Sequence, residues 1–332
     1  MTRKHYIQTI GIFFTFLAAT LCVAPLIGAI DISLMKAFSS ETPFEENIDA
    51  HILFLARLPR ILLAGITGAA LAVAGAVFQA LLRNDLAAPF TLGVSSGAAF
   101  GAVLSIAMGW TFNFMGISAL SIFAFCGALM AVALVFSLVK VRHNEFETST
   151  LLLAGVTANF FFAALVMFIH YLSDFTQSFQ IIRWLMGGLD ITDYGTVLSV
   201  IPPVLLGFTL LMIIARDLNL ISAGVSTALS RGVNVSRIQK TGFVVSSLIT
   251  GTVVAFTGPI GFVGLIAPHI VRLIVGPDLR LLLPSSMLFG AAFLIICDAF
   301  ARTLIAPAEI PVGVVTAILG GPFFVWLLKR KK

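Results

Sequence analysis

The feature that most constrains this chain is a repeated run length. "GIFFTFLAATLCVAPLIGAI" (11–30), "ILLAGITGAALAVAGAVFQALL" (61–82) and eight later stretches are each almost purely apolar for about 20 residues. The hydrocarbon core of a bilayer is roughly 30 Å thick, and a helix needs about 20 apolar residues to cross it. Ten segments are expected, at 7–30, 58–82, 91–109, 115–139, 149–171, 195–215, 241–257, 259–275, 285–301 and 311–328. The seventh and eighth are the shortest and meet at "TGPIG". The runs are continuous, whereas the strands of a membrane β-barrel alternate in short segments. The fold class expected is all-α, a polytopic membrane protein forming a single domain over 1–332. Composition agrees, since only 11% of residues are charged against about a quarter in a soluble domain.

Ten crossings put both ends on one side. With the basic start and the tail "KRKK" in the cytoplasm, the inner loops hold Arg3, Lys4, Arg83, Lys140, Arg142, Arg216, Arg231, Arg237, Lys240, Arg272, Arg280 and 329–332, fifteen of the 20 cations. The outer loops keep Lys36, Arg57, Arg60, Arg183 and Arg302. Acids lean the other way, with Asp31, Glu41, Glu45, Glu46, Asp49, Asp174, Asp190, Asp193 and Glu309 outside. This is the bias the positive-inside rule describes, so the net charge of +5 reads as orientation signal rather than a nucleic-acid footprint. The basic N-terminus resembles a signal peptide. Its apolar part is longer than a typical h-region and no clear small-residue cleavage site follows, so it is read as a retained first helix. Cys22, Cys126 and Cys297 lie far apart inside apolar runs and suggest neither a disulfide framework nor a metal site.

Arg57 and Arg60 in "HILFLARLPRILLAG" and Arg302 in "CDAFARTLIAPAEIP" are outer-face cations that oppose the orientation signal. Two readings are open: snorkelling into headgroups, or a site for an anionic substrate or an acidic side chain of a partner. On the inner side, "RDLNLISAGVSTALSRGVNVSRIQK" (216–240) is too polar to span, yet places Leu218, Leu220, Ile221, Val225, Ala228 and Leu229 on roughly helical spacing, with Gly232 able to end the segment. Two short surface helices around a glycine turn, long for a mere connector, suggest a docking site for a cytoplasmic partner.

Several absences narrow the function. There is no G-x-x-x-x-G-K-[ST], H-E-x-x-H or G-x-S-x-G, so nothing marks a P-loop or a hydrolytic site. His5, His51, His143, His170 and His269 are scattered, and apart from Asp298, placed near the outer end of the ninth helix, the apolar segments lack acids and lysines. A stand-alone secondary transporter or channel usually needs such groups; it stays as the rival reading. Pro and Gly cluster at 83–102 and 256–272. Such breaks suit either a translocation pathway or kinked packing. Gly68, Ala72 and Gly75 share their spacing with Gly251, Ala255 and Gly258, which fits an inverted repeat or plain close helix packing. The phenylalanines of "ANFFFAALVMFIHYL" suit a lipid- or helix-facing stripe, or a pathway for a bulky ligand.

"RLPRILLAGITGAALAVAGAVFQALLRNDLAAPFTLGVSSGAAFGA", "GPIGFVGLIAPHIVRLIVGPDLRLLLP" and "PAEIPVGVVTAILGGPFFVWLL" together resemble the permease family of bacterial ABC importers for iron-siderophores, haem and cobalamin, from about residue 50 to the C-terminus. The resemblance implies the type II importer fold, with ten helices per subunit in the bacterial inner membrane. It implies a second permease subunit, here a homodimer as the simpler case, with two cytoplasmic ATPase subunits that use ATP and an extracytoplasmic substrate-binding protein. No cofactor is expected on the chain itself. Arg57, Arg60 and Arg302 match family positions that receive glutamates of the binding protein. The coupling helices fall at about 217–239, with Ala223, Gly224, Val225, Leu229, Gly232, Val233 and Val235 as expected ATPase contacts. Thr148 and Ser149 match a cytoplasmic-gate position, although Ser and Thr are also favoured helix N-caps. The family commonly has R-N-P-L-A-x-P where this chain reads "RNDLAAP", so Asp85 replaces a proline and a less rigid segment is expected there.

Overall fold

The computed structural model of the protein describes residues 3–38, 43–138, 141–142, 145–146, 148–190 and 193–330. Its main helices are α1 (Arg3–Val23), α2 (Leu58–Leu82), α3 (Val94–Ala107), α4 (Ala119–Leu138), α5 (Thr148–Leu172), α6 (Phe175–Leu185), α7 (Tyr194–Ile213), α8 (Ala215–Ala223), α9 (Val225–Ser230), α10 (Val235–Thr257), α11 (Val263–Val275), α12 (Leu279–Thr303) and α13 (Val312–Arg330). Each expected apolar segment coincides with one of them. Seven helices, counting the Ile48–Leu82 stretch as one, are long and apolar enough to cross a membrane; α3, α11 and the apolar part of α13 are shorter. Two two-residue hairpins, Asn113–Phe114 with Ile117–Ser118 and Val141–Arg142 with Glu145–Phe146, and a single bridge between Ile305 and Ala308 are the β-pairing among the described residues. Glu41, Lys140, His143, Lys331 and Lys332, used in the charge and histidine readings, lie outside the described residues.

The segment boundaries moved where capping chemistry overrides hydropathy. Polar α6, unforeseen in the sequence, is started by Asp174, whose side chain accepts from the Gln177 N–H while Gln177 reaches back to the Asp174 N–H, a capping box. The ninth segment begins at Leu279 rather than after Pro284, because Asp278 caps the helix start. The second segment extends back to Ile48 through a wide π-type turn, Ile52–Arg57. The break expected at "TGPIG" is present between α10 and α11.

Helix α2 is the most enclosed of the seven long helices and packs against α12, α10, α11 and α7. Its alanines and glycines make this possible, since small residues let helix backbones approach closely in a bilayer, where apolar side chains gain nothing by leaving lipid. A Cβ on Gly68 would collide with the carbonyl of Gly290 in α12, and one on Gly75 with the carbonyl of Gly264 in α11. The small-residue spacing on α2 therefore serves helix packing. A second group, α3 with α4 and α5, joins this core through α10. Of the phenylalanine run on α5, Phe162 is buried against Phe100, while Phe160 and Phe161 are exposed.

Backbone oxygens at both Pro/Gly clusters find partners on neighbouring elements: Phe90 O accepts from Asn159 Nδ2 at 2.9 Å, and Thr257 O from the Gly188 N–H at 2.9 Å. This is the condition for non-helical chain at membrane depth. Phe262 sits in the left-handed region at φ +65°, an uncommon conformation for a bulky residue, with its ring over Gly320 of α13.

Candidate functional site: an arginine cluster and a helical turn at opposite ends

At one end, α2 and α12 bring Arg60 and Arg302 together around one carboxylate, with Arg57 just before α2. Asp298 is fully buried. Arg60 Nε donates to its Oδ1 at 2.9 Å, and Arg302 Nε lies 3.0 Å from its Oδ2, one helical turn along α12. Arg60 Nη1 also donates to Glu309 Oε2 at 2.6 Å. Arg57 lies at the junction of the π-turn with α2 and turns away from the surface, donating to Pro25 O at 2.6 Å and to Ile30 O. Gly28 lies against its guanidinium, where a side chain would collide. Arg57 and Arg302 are 5% and 4% exposed, and the Arg60 side chain 12%. The sequence expectation placed all three facing outward; the structure brings them together and leaves only Arg60 at the surface. Headgroup snorkelling does not describe them, because each guanidinium has internal partners.

A cavity of about 430 Å³ opens on Arg60 and Glu309, with Phe179, Ile182 and Arg183 of α6 and Asp190 on its other wall. Arg183 pairs with Asp190 at 2.9 Å. The Tyr194 hydroxyl donates to Phe54 O at 2.6 Å, tying the start of α7 to the π-turn. Sequence reasoning had Asp298 and Glu309 only as isolated acids. Their i, i+4 and loop spacing to Arg302 was a weak signal, and their pairing with Arg60 had none.

At the opposite end, α8 and α9 are the two short helices expected, turning at Gly224 (φ +140°), with Gly232 (φ +77°) after the second. Ile221, Ala228 and Val235 form a small core of their own. Ala223, Leu229 and Gly232 are exposed, Gly224, Val225 and Val233 half-buried, and Val235 fully buried. Val235 therefore supports the turn from within rather than facing a partner. Asn219 on α8 donates to Asp278 Oδ1 at 2.7 Å and accepts from the Leu279 N–H at 2.9 Å, fastening this turn to the N-terminus of α12. The Asp278 carboxyl is held down to about 2, first by the Arg280 side chain and also by Asn219, against the opposing effect of burial. Nearby, Arg272 of α11 pairs with Asp85 and donates to Gln79 Oε1 at 2.7 Å. The loop with the missing proline is thus fastened by an ion pair, where only loosening was expected. Thr148 and Ser149 open α5, with the Ser149 side chain exposed.

Helix α12 links the two ends. It carries Asp278 at its start and Asp298 and Arg302 near its finish, and 25 residues at about 1.5 Å each span roughly 37 Å.

The model of the FecCD transport family matches residues 16–330. The chain belongs to the FecCD transport family. Among the relatives of this FecCD permease are the haemin transport system permease of Yersinia pestis, 39% identical over 92% of this chain and 90% of that one. The cobalamin import system permease of Halobacterium salinarum is 41% identical over 83% of this chain and 73% of that one. Among solved structures, an inward-facing conformation of a transporter described as metal-chelate type superposes with a TM-score of 0.84 at 32% identity, covering 98% of this chain and 99% of that one. The FecCD permease is thus an integral membrane protein, the permease of an ATP-binding-cassette importer that works with partner subunits.

Proposed function

We propose that this FecCD permease moves a chelated metal complex inward across the bacterial cytoplasmic membrane, a ferric siderophore or haem first and cobalamin next. Two identical copies form the pathway, with both termini of each in the cytoplasm. A substrate-binding protein delivers the complex at the arginine end. Two ATPase subunits seat on the α8–α9 turn and use the ATP, and the permease holds no cofactor. The relatives that transport haemin and cobalamin support the substrate class.

The observation that carries the reading is the separation of two partner-ready features by the length of α12: guanidiniums at one end and an exposed two-helix turn at the other. Arg60 is the arginine a partner's carboxylate reaches, in the two-pronged geometry a guanidinium favours. Arg57 and Arg302 support that end from within, and charged contacts of this kind serve orientation and encounter rate more than raw affinity. Ala223, Gly224, Val225, Leu229, Gly232 and Val233 face the ATPase, and Thr148 and Ser149 stand at the cytoplasmic gate.

The test is ATP hydrolysis and ligand accumulation in proteoliposomes holding the permease with its co-purifying ATPase. The binding protein is added loaded in turn with a ferric siderophore, haem or cobalamin. ATP-dependent uptake of one ligand is expected. Uptake without ATP, or purification with no ATPase, would return the stand-alone transporter. Arg60→Ala should strongly reduce uptake while the permease–ATPase complex still assembles; unchanged uptake would remove the docking role.

A further inference from the structure

Two guanidiniums and two carboxylates share one network at the arginine end: Arg60 and Arg302 both meet Asp298, and Arg60 also meets Glu309. The cluster is therefore already neutral. One more carboxylate would leave it with surplus negative charge at a largely buried site, where uncompensated charge is costly. A partner's carboxylate can enter only by replacing one already present.

The two acids differ in how firmly they are held. Asp298 is fully buried and paired with two arginines. Glu309 is not: its side chain is 44% exposed, it touches Arg60 through one oxygen, and it sits in the connection between α12 and α13. The cavity of about 430 Å³ opens at this pair, giving an incoming side chain room to approach.

We propose that Glu309 is an internal stand-in for the binding protein's carboxylate: it holds Arg60 in the undocked permease and is displaced when the partner docks. This rests on the docking role of Arg60 given above. The exchange keeps the cluster neutral throughout, so docking avoids ever exposing an unpaired buried guanidinium. It also lowers the affinity relative to an unpaired Arg60, because every docking event must first break the Arg60–Glu309 pair.

The test is the Kd of the substrate-binding protein for the permease–ATPase complex in nanodiscs. Glu309→Gln removes the competitor and should tighten binding, by up to about fivefold for a pair this exposed. Glu309→Asp, shorter by one methylene, should fall between Gln and wild type. Arg60→Ala should weaken binding more than tenfold. If Arg60→Ala weakens binding but Glu309→Gln leaves it unchanged or weaker, the exchange is wrong and the docking role stands. If Arg60→Ala changes nothing, the docking role itself fails. Should Glu309→Gln not assemble, Glu309→Asp carries the decision alone, and an unchanged or weaker Kd overturns the proposal.

Discussion

Asp298 is where a single substitution should cost this permease most. Its carboxylate is fully buried and holds Arg60 and Arg302 at 2.9 and 3.0 Å. At an effective dielectric of about 20, each such pair is worth about 4 kcal/mol of Coulomb energy, and much of that is offset by the desolvation of the ions. Removing one partner leaves the desolvation uncompensated, so breaking a buried pair typically costs about 3–5 kcal/mol. Asp298→Asn keeps the volume and one acceptor and should fall near the lower figure; Asp298→Ala also loses contacts and should reach the upper. A shift of about 2–4 °C per kcal/mol in domains of about 150–250 residues, and less in a longer chain, puts the expected fall in melting temperature at about 5–10 °C. The assay is thermal unfolding of the detergent-solubilised permease, followed by circular dichroism and by loss of the monodisperse species. Asp298→Leu combined with Arg302→Leu removes both charges together and leaves Arg60 with Glu309, so at least half the loss should be recovered. An Asp298→Asn protein that melts within a degree of wild type, or a double variant no better than the single one, would refute the reasoning.

Three further outcomes are expected. Gly75→Ala should destabilise by about 3 kcal/mol or more, the top of the overpacking range, because α2 and α11 must separate to admit the methyl group; Gly261→Ala, with open space around it, should melt like wild type, and equal melting of the two variants would count against the close crossing. Asn219→Ala should assemble normally yet lose most of the ATPase stimulation by loaded binding protein, since it cuts the tie between the α8–α9 turn and α12; full stimulation would break that link. Asp278 has a depressed folded value, so its contribution is present above the ordinary carboxylate range and is lost as pH falls towards about 2. The melting difference between wild type and Asp278→Asn should hold from neutrality to about pH 4 and then shrink, and a difference that grows on acidification would reverse the assignment.

What was legible in the sequence was whatever depends on neighbours a few residues apart. Run length alone located the ten apolar helices, and helical spacing with two glycines located the α8–α9 turn. Capping pairs three residues apart were equally local, and attention to Asp174 with Gln177 would have shown α6. The motifs identified the family because they are contiguous strings. The partners of Arg57, Arg60 and Arg302 were a different matter. Arg60 meets Asp298 across 238 positions, and no periodicity in either segment points to the other.

The sequence by itself therefore determined the membrane class, the helices and the family, since hydropathy and turn chemistry act over one or two helical turns. Only the tertiary structure decided that Arg57 is covered, that Asp298 is shared, and that Glu309 occupies Arg60, the reachable one of the three arginines. Those outcomes depend on the crossing of α2 over α12 at Gly68 and Gly290, where the absence of two side chains lets the backbones meet. A burial depth and a charge balance exist only once that crossing is made.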